Sequence, residues 1–196
     1  MQTRDKPRPC TQGLGKLFII SAPSGSGKTT LEKMLLASDL DLEKSISVTT
    51  RNLRKGEKEG EDYYFISKGE FFKRKEKGKF LEWAKIFDYY YATPKKRVDE
   101  ALEKGKNILL SIDVQGTKQI KEIYPDAVFI FINPPNLNEL EKRLKRRKTD
   151  RLEDIKKRLQ LAKKEMTQSN LYDYIVVNDR IEEAYKQLKQ IIKRQI

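Results

Sequence analysis

The chain has 196 residues, 42 Lys and Arg against 29 Asp and Glu, no His and one Cys, for a formal charge of +13. That length suits one domain that buries a real core without staples, and the missing histidines exclude histidine acid–base chemistry and the commonest zinc ligand. The lone Cys10 excludes an internal disulfide and no apolar run approaches membrane-spanning length, so a cytoplasmic protein with anionic partners is expected.

Residues 1–15 read as a flexible N-terminal tail, because Pro7, Pro9, Gly13 and Gly15 discourage regular structure. The apolar run Leu17 to Ile20 then leads into Ser21-Ala22-Pro23-Ser24-Gly25-Ser26-Gly27-Lys28-Thr29-Thr30. Leu31, Met34 and Leu35 follow at i, i+3 and i+4, the spacing of one buried helix face. Strand, glycine-rich turn and helix in that order form a phosphate-binding loop. Backbone N–H groups point at a polyphosphate, the helix N-terminus adds partial positive charge, Lys28 reaches the outer phosphates and Thr29 a magnesium ion. Ala22 stands where the first Gly of the usual pattern would be, so its φ is expected to stay negative.

Further apolar runs at Asn107 to Asp113, Val128 to Ile132 and Tyr174 to Val177 adjoin helix-period segments. They read as strands buried on both faces of a parallel α/β sheet. Thr93 before Pro94 reads as a helix cap, with Val98, Ala101 and Leu102 as its stripe and Gly105 as its end. Asp179 and Glu182 resemble a capping box for a last helix whose Ile181, Tyr185, Leu188 and Ile192 share a face. Lys73 to Lys79 and Lys156 to Lys164 read as solvated helix faces.

Two intervals interrupt this pattern. Residues 45–92 hold Tyr63, Tyr64, Trp83, Tyr89, Tyr90 and Tyr91 with paired arginines and short alternating runs, and read as a partly β insertion. Residues 136–168 are cationic, with Arg143, Arg146, Arg147, Lys148, Arg151 and Arg158. Asp150 followed by Glu153 can restart a helix there, giving two helices that meet at a basic turn, the shape of a lid. The expected division is a tail at 1–15 and one domain at 16–196. Its core is 16–44, 93–135 and 169–196, its insertion 45–92 and its lid 136–168.

Ser47-Val48-Thr49-Thr50-Arg51-Asn52-Leu53-Arg54-Lys55-Gly56-Glu57 continues through Gly60-Glu61-Asp62-Tyr63-Tyr64-Phe65. Phe80-Leu81-Glu82-Trp83-Ala84, Tyr90-Tyr91-Ala92-Thr93-Pro94, Ile112-Asp113-Val114-Gln115-Gly116 and Tyr174-Ile175-Val176-Val177-Asn178-Asp179 follow. In this order, over residues 17–192, the motifs resemble those of guanylate kinases, nucleoside monophosphate kinases that pass the γ-phosphoryl of ATP to GMP. The resemblance implies a P-loop NTPase-type parallel sheet flanked by helices, with an inserted GMP-binding subdomain and a helical lid. It implies transfer from ATP to GMP or dGMP in purine nucleotide metabolism, with Mg²⁺ as cofactor, by a monomer or homodimer.

Residue by residue, the resemblance implies an ATP site on Ala22, Pro23, Ser24, Gly25, Ser26, Gly27, Lys28, Thr29 and Thr30, with Asn178 near the adenine. Arg51, Arg54, Tyr63 and Tyr91 would hold the GMP phosphate, with Ser47 beside them. Glu82, Asp113 and Thr93 would read the guanine, and Arg147 and Arg158 would close over the transferring phosphoryl. Lys28, Arg51, Arg147 and Arg158 are the expected catalytic residues and Thr29 the Mg²⁺ ligand.

These residue types suit the chemistry. Phosphoryl transfer rests on positioning and charge stabilisation, so lysine, arginine and Mg²⁺ matter more than a general base. A phosphomonoester has a second pKa of about 6, so the acceptor is already largely dianionic at neutral pH. Adjacent guanine N1–H and N2 amino donors match one carboxylate, whereas adenine would leave it unmatched.

Other readings stand beside these. Tyr89 and Tyr90 read as subdomain core, Glu82 taken alone is equally an outward strand residue, and Asp113 has a second reading as a helix cap. Arg143, Arg146 and Arg151 read as a solvated helix face. The same Arg51, Arg54 and Tyr63 would also serve a noncatalytic module that binds phosphorylated protein segments, though the retained Gly27-Lys28-Thr29 favours an enzyme. Charge alone supports a nucleic-acid binder, and Glu82 with Asp113 separates GMP from other monophosphates. Two departures from the family pattern are Ser111, in place of an expected Asp near the metal's water shell, and Arg147-Lys148-Thr149-Asp150, in place of an R-G-T-E hinge.

Overall fold

The structure, a computed structural model, describes residues 15–146 and 152–196. Cys10 and the basic turn holding Arg147, Lys148, Thr149, Asp150 and Arg151 lie outside the described residues. The apolar run after Lys16 forms strand β1 (Leu17–Ser21), buried at every position. It is followed by the loop and helix α1 (Lys28–Leu36). Strand β2 (Leu42–Lys44) comes next, then a long excursion to helix α3 (Lys95–Glu103) and strand β7 (Asn107–Ser111). Helix α4 (Val114–Ile123), strand β8 (Val128–Asn133), strand β9 (Tyr174–Val177) and helix α7 (Ile181–Lys193) complete the main layer.

Its five strands run in the order β2-β7-β1-β8-β9, every neighbouring pair parallel. Phe18, Ile20, Leu109, Ile130, Ile132 and Val176 face α1 and α7. Leu17, Ile19, Leu110, Phe129 and Phe131 join Val98, Leu102 and Ile120 on the opposite side. Helices therefore cover both faces, the arrangement parallel strands require. The expected α/β layer is present.

The strand readings need two corrections. β2 was not anticipated, since Leu42-Glu43-Lys44 carries no apolar run and becomes a strand only by pairing with β7. β9 is not buried on both faces: it is an edge strand, and Ile175 and Val177 are 50% and 49% exposed. Gly15, assigned to the tail, donates its N–H to the Leu102 carbonyl at 2.9 Å.

The helix starts also differ from expectation. Thr93 is not a cap, because strand β6 (Tyr89–Pro94) runs through it and Pro94 occupies the N-cap of α3. Asp179 is not one either; Arg180 precedes α7 and no side chain caps it. The lysine-rich stretch from Lys73 is helical only to Glu76.

The excursion forms a second sheet. Strands β3 (Val48–Thr49), β4 (Tyr64–Phe65), β5 (Phe80–Ile86) and β6 run in the order β4-β3-β6-β5, and helix α2 (Lys68–Glu76) packs on it. The Ser67 hydroxyl caps α2 by accepting the Glu70 N–H at 3.1 Å. Val48, Phe71 and Ala92 are its core, with Tyr64, Phe80, Trp83 and Tyr90 packed against them. Tyr90 is thus core as expected, whereas Tyr89 is 43% exposed. Gln119 of α4 locks this sheet to the main layer, accepting from Trp83 N–H at 3.2 Å and donating to its carbonyl at 2.8 Å. Helices α5 (Leu137–Arg146) and α6 (Leu152–Met166) pack through Leu140, Leu144, Ile155 and Ala162.

Candidate active site

The glycine-rich loop leaves the C-terminal end of β1 at the centre of the main sheet. Gly25 and Gly27 lie at φ 99° and 87°, a region open to glycine and strained for other residues. Among the described residues Phe87 is the one non-glycine with positive φ, so Ala22 keeps the negative φ expected of it. Gly27 caps α1, which begins at Lys28, and the Lys28 ammonium donates to the Ile112 carbonyl at 3.0 Å. Burial pulls the Lys28 pKa down, and Glu32, Asp113, Glu165 and Glu82 oppose that by favouring the cation.

A cavity of about 170 Å³ opens beside it, lined by Lys28, Thr29 and Glu32 of α1, by Ser47, Arg51, Arg54 and Tyr63 of the segments flanking β3 and β4, and by Ser111 at the end of β7. Arg51 is 6% exposed, and its two terminal nitrogens meet the Glu57 carboxylate at 2.6 and 2.5 Å. The same guanidinium stacks 4.9 Å from the Tyr63 ring centroid. Glu57 also accepts the Arg54 N–H at 2.9 Å, so one carboxylate orders both arginine positions. Tyr91 meets Tyr63 edge-on at 5.9 Å, and burial pushes the Tyr63 hydroxyl up to about 12, keeping it a donor.

Glu82 is buried, at 4% exposure, despite lying on a strand beside Trp83. An irregularity between Phe80 and Glu82 in the β5–β6 pairing explains this, because the extra residue breaks the alternation and re-aims the side chain inward. Its Oε1 accepts the Thr93 hydroxyl at 2.6 Å. Burial, reinforced by Asp113, pushes the Glu82 carboxyl up to about 7, against the pull of Thr93 and Lys28. Asp113 does cap a helix: its Oδ1 accepts the Gly116 N–H at 2.8 Å while Oδ2 takes the Gln115 amide. Burial raises its pKa too. The outward reading of Glu82 fails, and the cap reading of Asp113 holds beside its place in the crevice.

Arg158 of α6 donates to the Ser24 hydroxyl at 2.8 Å, which sets a lid arginine on the loop. Arg147 lies outside the described residues. Asn178, the residue expected near the adenine, is 3% exposed and its amide donates to the Ser26 carbonyl at 2.7 Å, bracing the loop. Arg143 is not a solvated face residue, because it donates to the Asn178 and Asp179 carbonyls at 2.9 and 3.2 Å.

Three contributors escaped the sequence reading. Glu57 lies inside a motif that was singled out, and its pairing with Arg51 follows from the chain folding back over six residues. Glu165 sits among Lys163 and Lys164, where a solvated ion-pair partner is the natural reading. Burial, with Asp113 next, instead pushes its carboxyl up to about 7. Gly116 leaves room for Glu82, since a Cβ there would stand 2.3 Å from Oε2. Gly116→Ala is therefore expected to raise the KM for GMP about tenfold or more by displacing Glu82, although alanine favours a helix by ~1 kcal/mol. Steady-state kinetics and thermal melting together check this: KM rises while Tm does not fall with it.

A phosphate-binding loop at the carboxyl ends of parallel strands, facing a cationic cleft, puts the chain among the P-loop α/β nucleotide-binding proteins. Comparison with known proteins narrows the class. The guanylate kinase family model matches residues 14–195. A guanylate kinase of Caldanaerobacter subterraneus subsp. tengcongensis is 46% identical over 178 residues, covering 91% of this chain and 86% of the relative. One of Rickettsia felis is 48% identical over 178 residues, covering 91% and 93%. The crystal structure of guanylate kinase from Anaplasma phagocytophilum superposes with a TM-score of 0.78 at 34% identity, covering 94% of this chain and 87% of that one. This chain belongs to the guanylate kinase family.

Proposed function

We propose that the cleft between the two sheets takes GMP, with its phosphate on Ser47, Arg51, Arg54, Tyr63 and Tyr91 and its base on Glu82, Thr93 and Asp113. ATP lies on residues 22–30 with Asn178 near its adenine, and Arg158, joined by Arg147, closes over the transferring group. The chain is an ATP-using kinase that converts GMP to GDP. The observation that carries the site assignment is the alignment of opposite charge. Lys28 and Arg51 line one cavity, and the buried carboxylate of Glu82 stands within electrostatic reach of Lys28.

GMP arrives largely as a dianion, so attack on the donor's terminal phosphorus requires alignment rather than deprotonation. Arg51 and Arg54 hold the nucleophile, while Lys28 and Arg158 neutralise charge on the migrating group. The division into tail, core, insertion at 45–92 and lid at 136–168 belongs to this proposal, in which bound substrates draw lid and insertion together and exclude water.

The oxygen donors at this end of the cavity, from Thr29, Ser111 and Glu32, are hard ligands of the kind Mg²⁺ takes. Among the described residues no group of three or more acidic, His or Cys side chains forms a metal cage. Thr29 would hold it, with Ser111 toward its water shell. Bound there, the ion would supply positive charge to the donor's outer phosphates.

The test is ADP release from Mg²⁺-ATP with GMP, AMP, CMP or UMP as acceptor, with Lys28→Ala as the blank. GMP-dependent release at least tenfold above the other acceptors, absent from the blank, is the expected result. Equal turnover with AMP would overturn the base-site assignment. GMP binding without any turnover would make the chain a noncatalytic binding module.

A further inference from the structure

The turn between β5 and β6 consists of Phe87 and Asp88. Phe87 lies at φ 54°, a left-handed conformation that tight hairpin turns usually give to Gly, Asn or Asp. A bulky aromatic there is a genuine outlier, and such strain tends to persist where function maintains it. Its ring is 46% exposed and takes no part in the core of the second sheet, which Val48, Phe71 and Ala92 form.

Among the described residues one cation meets the ring, from across the cleft. The Arg158 guanidinium lies over it, with Cζ 5.8 Å from the centroid, while Nη1 of the same group donates to Ser24 in the phosphate loop. Hairpin tip, lid helix and phosphate loop thus converge on a single guanidinium. Stacking uses the face of that group and leaves its in-plane N–H donors for oxygen acceptors such as Ser24. The hairpin's own position is set by the base site, because β5 carries Glu82 and β6 carries Tyr91 and Thr93. Gln115 of α4 also donates to the Lys85 carbonyl near the tip, at 3.4 Å.

We propose that Phe87 is a positioning residue for phosphoryl transfer, holding Arg158 over the phosphate loop and so linking the seating of the acceptor to the placement of the lid arginine. This rests on the GMP kinase reading above. Ring and hydroxyl each hold the guanidinium toward the reacting group, narrowing the rotamers a long arginine side chain samples.

Steady-state kinetics and melting of Phe87→Ala, Phe87→Leu, Phe87→Tyr and Phe87→Gly, with Phe87→Ala repeated in an Arg158→Ala background, test the proposal. Phe87→Ala and Phe87→Leu are expected to lower kcat about fivefold, the scale of one cation–π contact, with KM for GMP within twofold. Phe87→Tyr restores kcat. Phe87→Gly relieves the turn, so Tm holds or rises while kcat falls, which a merely structural residue would not produce. In the Arg158→Ala background the Phe87→Ala loss disappears. Leucine matching phenylalanine in kcat, or a fivefold loss that persists without Arg158, would overturn the inference and leave the kinase reading intact. A parent enzyme without GMP-dependent turnover would overturn both.

Discussion

Lys28→Ala is expected to lower kcat by about 10³-fold while GMP binding persists within several-fold, the order of loss seen when one preorganised charge donor is removed from a dry site. The reason lies in where the ammonium is kept. It rests on the Ile112 carbonyl at 3.0 Å, where burial lowers its pKa and Glu32, Asp113, Glu165 and Glu82 oppose that shift. Alanine removes the charge that meets the outer phosphates and leaves Glu82 and Glu165 without an opposing cation, so their already raised pKa values climb further. Lys28→Arg is not expected to rescue, because a planar guanidinium cannot replace a compact ammonium in so close a seat. Single-turnover ADP formation with calorimetric GMP titration checks this, and a loss of less than tenfold would remove Lys28 from the proposed chemistry.

Glu82→Gln should reduce kcat/KM for GMP by about 10²-fold or more, since two hydrogen bonds to a charged acceptor are weakened and each contributes roughly 1.5–3 kcal/mol. Selectivity over AMP should fall with it, and unchanged selectivity would sink the assignment of the base site. The pH profile carries the same signature. With its carboxyl near 7, Glu82 of the free enzyme is ionised only as pH rises through that value. The kcat/KM for GMP should therefore rise across neutrality, beyond the rise owed to the substrate phosphate with its pKa of about 6. In Glu82→Gln only the substrate's part should remain.

Stability moves the other way. Between its ordinary value of 4.5 and about 7, Glu82 keeps a proton in the folded chain that the unfolded chain has released. Stability therefore falls as pH rises through that window and stays reduced above it. Glutamine carries no such loss. Glu82→Gln should melt above the parent at pH 8, by up to roughly 2–3 kcal/mol of stability, and match it near pH 4.5. A substitution that stabilises the fold while harming GMP use would identify Glu82 as a buried charge retained for recognition.

How much of this was legible differs from residue to residue. The phosphate loop could be read outright because its determinants are contiguous: an apolar strand, glycines at two left-handed positions and an amphipathic helix. Glu82 was legible through its motif, yet the bulge that turns it inward has no marker in Phe80-Leu81-Glu82. Thr93 before Pro94 misled as a helix cap, because strand pairing with β5 outweighed local cap preference and its hydroxyl went to Glu82. β9 shows why apolar runs alone do not report burial: Tyr174 to Val177 reads the same at an edge as at a centre, and only the absence of a strand beyond it, among the described residues, exposes Ile175 and Val177.

The sequence by itself determined the elements whose causes are local, namely the strand-loop-helix unit, the parallel α/β layer and the residue types that suit phosphate and guanine. Tertiary structure alone decided which charges are shared and which side chains are diverted. Lys28 finds the Ile112 carbonyl 84 residues away, and Arg158 finds Ser24 across 134. Asn178 braces the loop backbone at Ser26, and Glu165 becomes a half-buried acid with a raised pKa among lysines. Burial and electrostatic coupling depend on spatial neighbours, which chain order does not supply, whereas backbone propensity and hydrophobic period are properties of adjacent residues.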